Sequence, residues 1–238
     1  MATIQPVFDG DDPGGGRVDL TRRDALKRVG LAGVATVAGI ALVPTPPRSP
    51  APATVESSND VPDIPGVDER GRLIDQHESP IATFQYQEAE DGYEPTAPIN
   101  VVFSLARSPG GLERVMAVLE DLGWVRGPEE YVRYAYDYDE GTYVIQEATA
   151  AETYYGSNGR RHVRCWQFDD VVSMQAHEDS GARPYHRIES YADARTYLES
   201  VYAEAGWEVT PNALDLDNAT GPDHDHDGYA TLIAEEQP

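Results

Sequence analysis

The sequence predicts an α+β domain in which a mainly antiparallel sheet carries two helices on one face, the split βαβ or ferredoxin-like arrangement. Three observations predict it. Two segments repeat apolar residues at helical spacing and stop on Gly-Trp, at Gly123-Trp124 and Gly206-Trp207. The strand-like segments gather between these helices instead of alternating with them, and one strand pair is separated by only two residues.

The first strand is Ile99-Asn100-Val101-Val102-Phe103-Ser104-Leu105, a β-branched apolar run suited to burial on both faces and hence to the centre of the sheet. Leu112, Val115, Met116, Leu119 and Leu122 then form one helical stripe, closed by Gly123. Tyr131 to Tyr138, Thr142 to Thr149, Arg160 to Phe168 and Val171 to His177 read as strands. The second helix starts at the N-cap residue Ser190, turns Ala194, Tyr197, Leu198, Val201, Tyr202 and Ala205 inward, and ends at Gly206. Together these elements bound a folded domain at residues 97–210. Residues 54–96 read as an acidic, Pro-rich, disordered linker with one edge strand near Ile81 to Tyr86, and 211–238 as an acidic tail.

The pair Asp169-Asp170 invites a tight hairpin, and a two-residue turn fixes its register. Phe168 then faces Val171, Trp166 faces Ser173, Arg164 faces Gln175 and His162 faces His177, all on one side. The other side holds Gln167 with Val172, Cys165 with Met174 and Val163 with Ala176, which suits packing under the helices. The first side is polar and aromatic, and is expected on the open face of the sheet. Its candidate binding residues are His162, Arg164, Trp166, Gln175 and His177, with His186, Glu178 and Asp179 arriving from the following loop. Fixed donors beside an aromatic floor suit an anion or a glycan. The His and carboxylate groups are also the ligand types of a transition metal. Cys165, the single cysteine, sits in an apolar run and reads as a small core hydrophobe.

Composition speaks to setting. Against 18 basic residues stand 42 acidic ones, a net charge of −24, and Lys27 is the single lysine. Such repulsion opposes every phosphate contact, which excludes a nucleic-acid binder. Molar salt shortens the Debye length to about 3 Å and screens that repulsion, so the chain reads as adapted to a halophilic archaeon's salt. Residues 1–53 depart from the rest, with six basic and five acidic side chains. There, Thr21-Arg22-Arg23-Asp24-Ala25-Leu26-Lys27 resembles the twin-arginine export signal, with Arg22 and Arg23 as the pair. A charge-free, mildly apolar stretch from Val29 to Val43 follows, too short and too weakly apolar for a membrane span. Ala51-Pro52-Ala53 supplies an A-x-A cleavage signal, and an uncleaved leader would remain as a weak anchor. The expected partner is the twin-arginine export machinery. The expected location is extracellular, or on the outer side of the cytoplasmic membrane.

Pro98-Ile99-Asn100-Val101-Val102-Phe103, Gly123-Trp124, Arg161-His162-Val163-Arg164-Cys165-Trp166 and His186-Arg187-Ile188-Glu189, with Arg195 beyond, resemble the LssY C-terminal domain over 97–210. The resemblance implies a membrane-associated envelope setting and no particular reaction. Where that family tends to carry doubled histidines, Arg161 and Arg187 leave one His at each place, so a family-like metal or acid–base centre is not carried over.

Two sites remain to be read near the C-terminus. Asp223-His224-Asp225-His226-Asp227-Gly228 matches the first half of a calcium loop, with Asp223, Asp225 and Asp227 as candidate ligands, but Ala234 stands where the loop's last glutamate belongs. Asn218-Ala219-Thr220 is a glycosylation sequon. G-x-S-x-G, P-loop and dinucleotide fingerprints are all missing from the sequence. The expectation is an exported domain that binds a ligand or envelope partner. The alternative is a metal-assisted hydrolase of phosphate or ester bonds, built on His162, His177 and His186 with Glu178 or Asp179 as base.

Overall fold

The computed structural model describes residues 63–105, 110–127, 131–153, 159–180, 187–222 and 224–235. Its elements are β1 (Phe84–Ala89), β2 (Gly92–Pro98), β3 (Val101–Ser104), α1 (Gly111–Asp121), β4 (Val125–Arg126), β5 (Tyr134–Asp137), β6 (Thr142–Ile145) and β7 (Ala148–Ala151). There follow β8 (Arg161–Phe168), β9 (Val171–Asp179), β10 (Ile188–Ser190), α2 (Ala192–Glu204), β11 (Glu208–Asp215) and β12 (Tyr229–Ala234). The fold is α+β. A large sheet runs β11-β12-β3-β9-β8-β7-β4, with β10 paired to β9, and a smaller one runs β2-β1-β5-β6. The described strands pair antiparallel, except that β12 lies parallel to β3.

Both helices pack on one face of the large sheet. Leu112, Val115, Met116 and Leu119 of α1 and Tyr197, Leu198, Val201 and Tyr202 of α2 bury against Phe103, Val163, Cys165, Met174 and Ile233. Each helix ends in a Schellman motif, which is why both stop on Gly-Trp. Gly123 (φ +84°) and Gly206 (φ +87°) take the left-handed conformation that side chains disfavour. The Trp124 N–H then donates to Leu119 O at 3.0 Å and the Trp207 N–H to Tyr202 O at 2.9 Å. Leu122 and Ala205 lie past the last helical residues and are exposed rather than inward. The Ser190 hydroxyl accepts the Asp193 N–H at 2.8 Å and so caps α2.

The opposite face of the large sheet is covered. Ile64, Ile81, Ala82 and Ala135 pack there on Ile99, Val102, Trp166, Leu214 and Leu232. Their source corrects the expectation of a linker, because from residue 63 onward that segment is ordered structure and supplies β1 and β2. The acidic tail is corrected too. Residues 208–215 form β11, and β12 inserts between β3 and β11, with Ala230, Thr231, Leu232 and Ile233 buried. The segment 142–149 is two strands in different sheets: β6 pairs with β5, whereas β7 pairs with β8. Among the described residues, no helix is long and apolar enough to cross a membrane.

Candidate ligand site

The β8–β9 hairpin has the register that its two-residue turn dictates, from Phe168 opposite Val171 to His162 opposite His177. Asp169 takes the positive φ (+53°), a conformation Asp tolerates better than most residues. Cys165, Val163, Met174 and Ala176 face the helices. Burial pushes the Cys165 thiol up, as befits a core hydrophobe. On the other side the expectation of an open face fails. His162, Arg164, Trp166, Gln175 and His177 share that side but are buried, His162 at 4 % exposure and His177 at 6 %, because the smaller sheet and the segment before it lie over them. Trp166 is a strut between sheets, its Nε1–H donating to Val144 O at 3.1 Å.

The two imidazoles meet edge to face, ring centroids 3.9 Å apart. Both reach the same carboxylate oxygen: His162 Nε2 lies 3.3 Å and His177 Nε2 3.5 Å from Asp179 Oδ1. The other oxygen, Oδ2, accepts from Arg160 Nε at 2.8 Å. Asp179 is thus the last residue of β9 rather than a loop residue. Extending the hairpin register two pairs beyond His162–His177 would have placed it opposite Arg160. Glu178 points the other way, with its Oε2 3.5 Å from Arg161 Nη2, and takes no part in the site. His186 lies outside the described residues.

Burial pushes His162 well down, aided by the neighbouring His177, so its ring is neutral at physiological pH. Burial acts in the opposite sense on Asp179, but hydrogen bonds from both rings outweigh it and hold the carboxyl below the usual carboxylate range. These groups floor a cavity of about 180 Å³. Arg133, Arg160, Arg164 and Arg187 line it with the two histidines, and Asp179 is the one acidic side chain among its described walls. Gln85, from β1 of the covering sheet, is 4 % exposed and also lines it. Its Nε2 donates to Thr96 Oγ1 at 3.0 Å, whereas its Oε1 has no hydrogen-bond partner among the described residues. Nothing in the sequence marks Gln85, Arg133 or Arg187 for this place, since each comes from an element outside the hairpin.

The calcium half-loop is used otherwise. The Asp225 carboxylate accepts the Tyr191 N–H at 2.7 Å and the Ser190 hydroxyl, bracing the start of α2, while Asp227 Oδ1 takes Arg195 Nη1 at 3.0 Å. The two carboxylates therefore serve separate protein donors instead of converging; Asp223 lies outside the described residues. The sequon fails for a like reason. Asn218 is buried, its Nδ2 donating to Thr83 O at 2.7 Å and Ile99 O at 2.9 Å, so the folded chain offers no acceptor amide.

His226 accounts for a pH dependence. Burial pushes its ring down to about 4, while the unfolded chain takes up that proton near 6.5. Below about 6.5 the unfolded state therefore binds the extra proton, and stability falls as pH drops from about 7 to about 4. Glu199, raised by burial, works in the opposite sense over its own range. In molar salt, which screens the changing surface charge, the melting temperature is expected to fall across this window in wild type and to fall less in His226→Gln. Identical profiles for the two would contradict the assignment. The chain matches no known family model, no curated protein and no solved structure.

Proposed function

We propose that the chain is an exported protein of a halophilic cell envelope whose domain binds a small anionic ligand in the arginine-lined cavity. One observation carries the reading: a chain of net charge −24 gathers four arginines and two histidines around one pocket, against a single carboxylate. Arg160 and Arg164 are buried, Arg133 is half-buried and Arg187 is exposed, and guanidinium forks converging on one space suit the bidentate binding of an anion. The volume is below the roughly 300–1,000 Å³ of clefts that take drug-sized molecules, which favours a phosphate, sulfate or carboxylate group or a small compound bearing one. The resemblance to the LssY C-terminal domain and the twin-arginine leader support an envelope setting. We read β3-α1-β8 and β9-α2-β11 as the two halves of a split βαβ frame, with β12 inserted between β3 and β11.

Calorimetric titration of the full chain with inorganic phosphate in molar potassium chloride tests the reading. Arg164→Met should weaken binding by at least about tenfold, since one charge-assisted hydrogen bond contributes about 1.5–3 kcal/mol. Equal affinity in the two chains, or no binding of phosphate or sulfate by either, would sink it. The address has its own test. Changing Arg22 and Arg23 to lysine should hold the precursor in the cytoplasm, and export undiminished by that change would overturn the routing. The competing reading, a metal-assisted hydrolase of phosphate or ester bonds, is favoured by the convergence of His162, His177 and Asp179. Turnover of a generic phosphomonoester by the metal-supplemented chain would decide for it.

A further inference from the structure

Two distances at the floor of the cavity match the edges of a coordination sphere. Four-coordinate zinc holds nitrogen and oxygen ligands at about 2.0–2.2 Å, which sets neighbouring ligand atoms roughly 3.3–3.5 Å apart. His162 Nε2 and His177 Nε2 stand 3.3 Å and 3.5 Å from the one oxygen Asp179 Oδ1, and the three donor atoms lie within 4.8 Å of one another. As hydrogen bonds these contacts are long, against a usual N–H···O distance of about 2.9–3.0 Å. In the metal-free chain they hold the carboxylate, and two imidazoles at near-equal, long reach from one oxygen also form three vertices around a shared centre.

The surroundings agree. A metal-bound carboxylate is normally braced on its free oxygen, and a metal-bound imidazole on its second nitrogen. Here Arg160 Nε holds Asp179 Oδ2 at 2.8 Å, and the Gln175 side-chain amide lies against His177 Nδ1 with its nitrogen at 2.9 Å and its oxygen at 3.2 Å, so that turning the amide over presents the acceptor a metal-bound ring needs. All three donors are buried, yet all three line the cavity, which leaves one direction free for a water or an anion. Two nitrogens and one oxygen suit a borderline divalent transition metal, and calcium or magnesium, which take about six or more oxygens, are ill served.

We propose that His162 Nε2, His177 Nε2 and Asp179 Oδ1 form a three-ligand site for a divalent transition metal such as zinc, with the fourth position opening into the arginine-lined cavity. The site stands on the geometry of the hairpin and does not rest on the anion reading. Together they place a metal-bound oxygen or anion beneath a guanidinium roof.

The test is titration of the chelator-treated full chain with cobalt(II), whose four-coordinate complexes absorb strongly in the visible and whose six-coordinate ones absorb weakly. One equivalent is expected to bind with the strong spectrum and to be displaced by zinc. His162→Asn and His177→Asn should each weaken cobalt by at least about 100-fold, Gln175→Leu by about 10- to 100-fold, and His77→Ala, at an exposed ring far along the chain, not at all. Should the histidine variants fail to fold, the wild-type spectrum decides alone: no stoichiometric binding, or only the weak six-coordinate bands, overturns the site. Retained affinity in both folded histidine variants overturns it too. Asp179→Asn separates this site from the anion reading, because it should lose cobalt while holding phosphate as tightly or more so. Cobalt binding without phosphate binding would uphold the metal site and remove the anion reading.

Discussion

Replacing Asp179 with alanine is expected to destabilise the metal-free fold by about 3–5 kcal/mol, a large share of the roughly 5–15 kcal/mol that holds a domain of this kind together. Arg160 and Asp179 are 1 % and 2 % exposed and meet at 2.8 Å, so neither charge has bulk water to fall back on. Removing one partner strands the other in a poorly solvated interior, and two imidazoles lose the oxygen they converge on. The same physics predicts that the double change Arg160→Met with Asp179→Leu recovers much of the loss, since no uncompensated charge then remains. Chemical denaturation in constant molar salt measures both. A single-variant loss under about 1 kcal/mol, or a double variant no better than the single, would show that the pair is not what holds this end of the hairpin.

A chain ending at Asp215 is expected not to fold. β12 lies between β3 and β11, so its loss unpairs both neighbours along their length. It also removes Ile233 from the core under the helices and Leu232 and Ala230 from the core under the smaller sheet. Burying Leu232 and Ile233 alone contributes about 3–6 kcal/mol, comparable with the whole stability of a small domain. Circular dichroism in molar salt should show no cooperative melting transition. A cooperative melt near the wild-type temperature would mean that β12 is dispensable.

This strand shows why the sequence was legible in some places and not in others. The β8–β9 pairing could be read because a two-residue turn leaves one register, and the helices because a glycine that must adopt positive φ marks each end. Elsewhere acidity hid structure. Glu88, Glu90, Asp91 and Glu94 sit on exposed positions around the β1–β2 hairpin, and such a run of solvated carboxylates makes an ordered hairpin resemble a tether. Asp215 to Asp227 likewise masks the short apolar run of β12 behind it. The corner between Ile145 and Ala148 has neither glycine nor proline, so nothing local separates β6 from β7. Because the covering sheet went unseen, the histidine face was expected in open solvent, and the arginines that close the cavity from other elements were not assigned to it.

Halide anomalous scattering tests most directly whether this half-open, positively lined space takes an anion. Crystals of the full chain grown with molar potassium bromide in place of chloride should show a bromide in the cavity, held among Arg133, Arg164 and Arg187 above the two imidazoles. Ordered bromides elsewhere on the protein and none in that cavity would contradict the account.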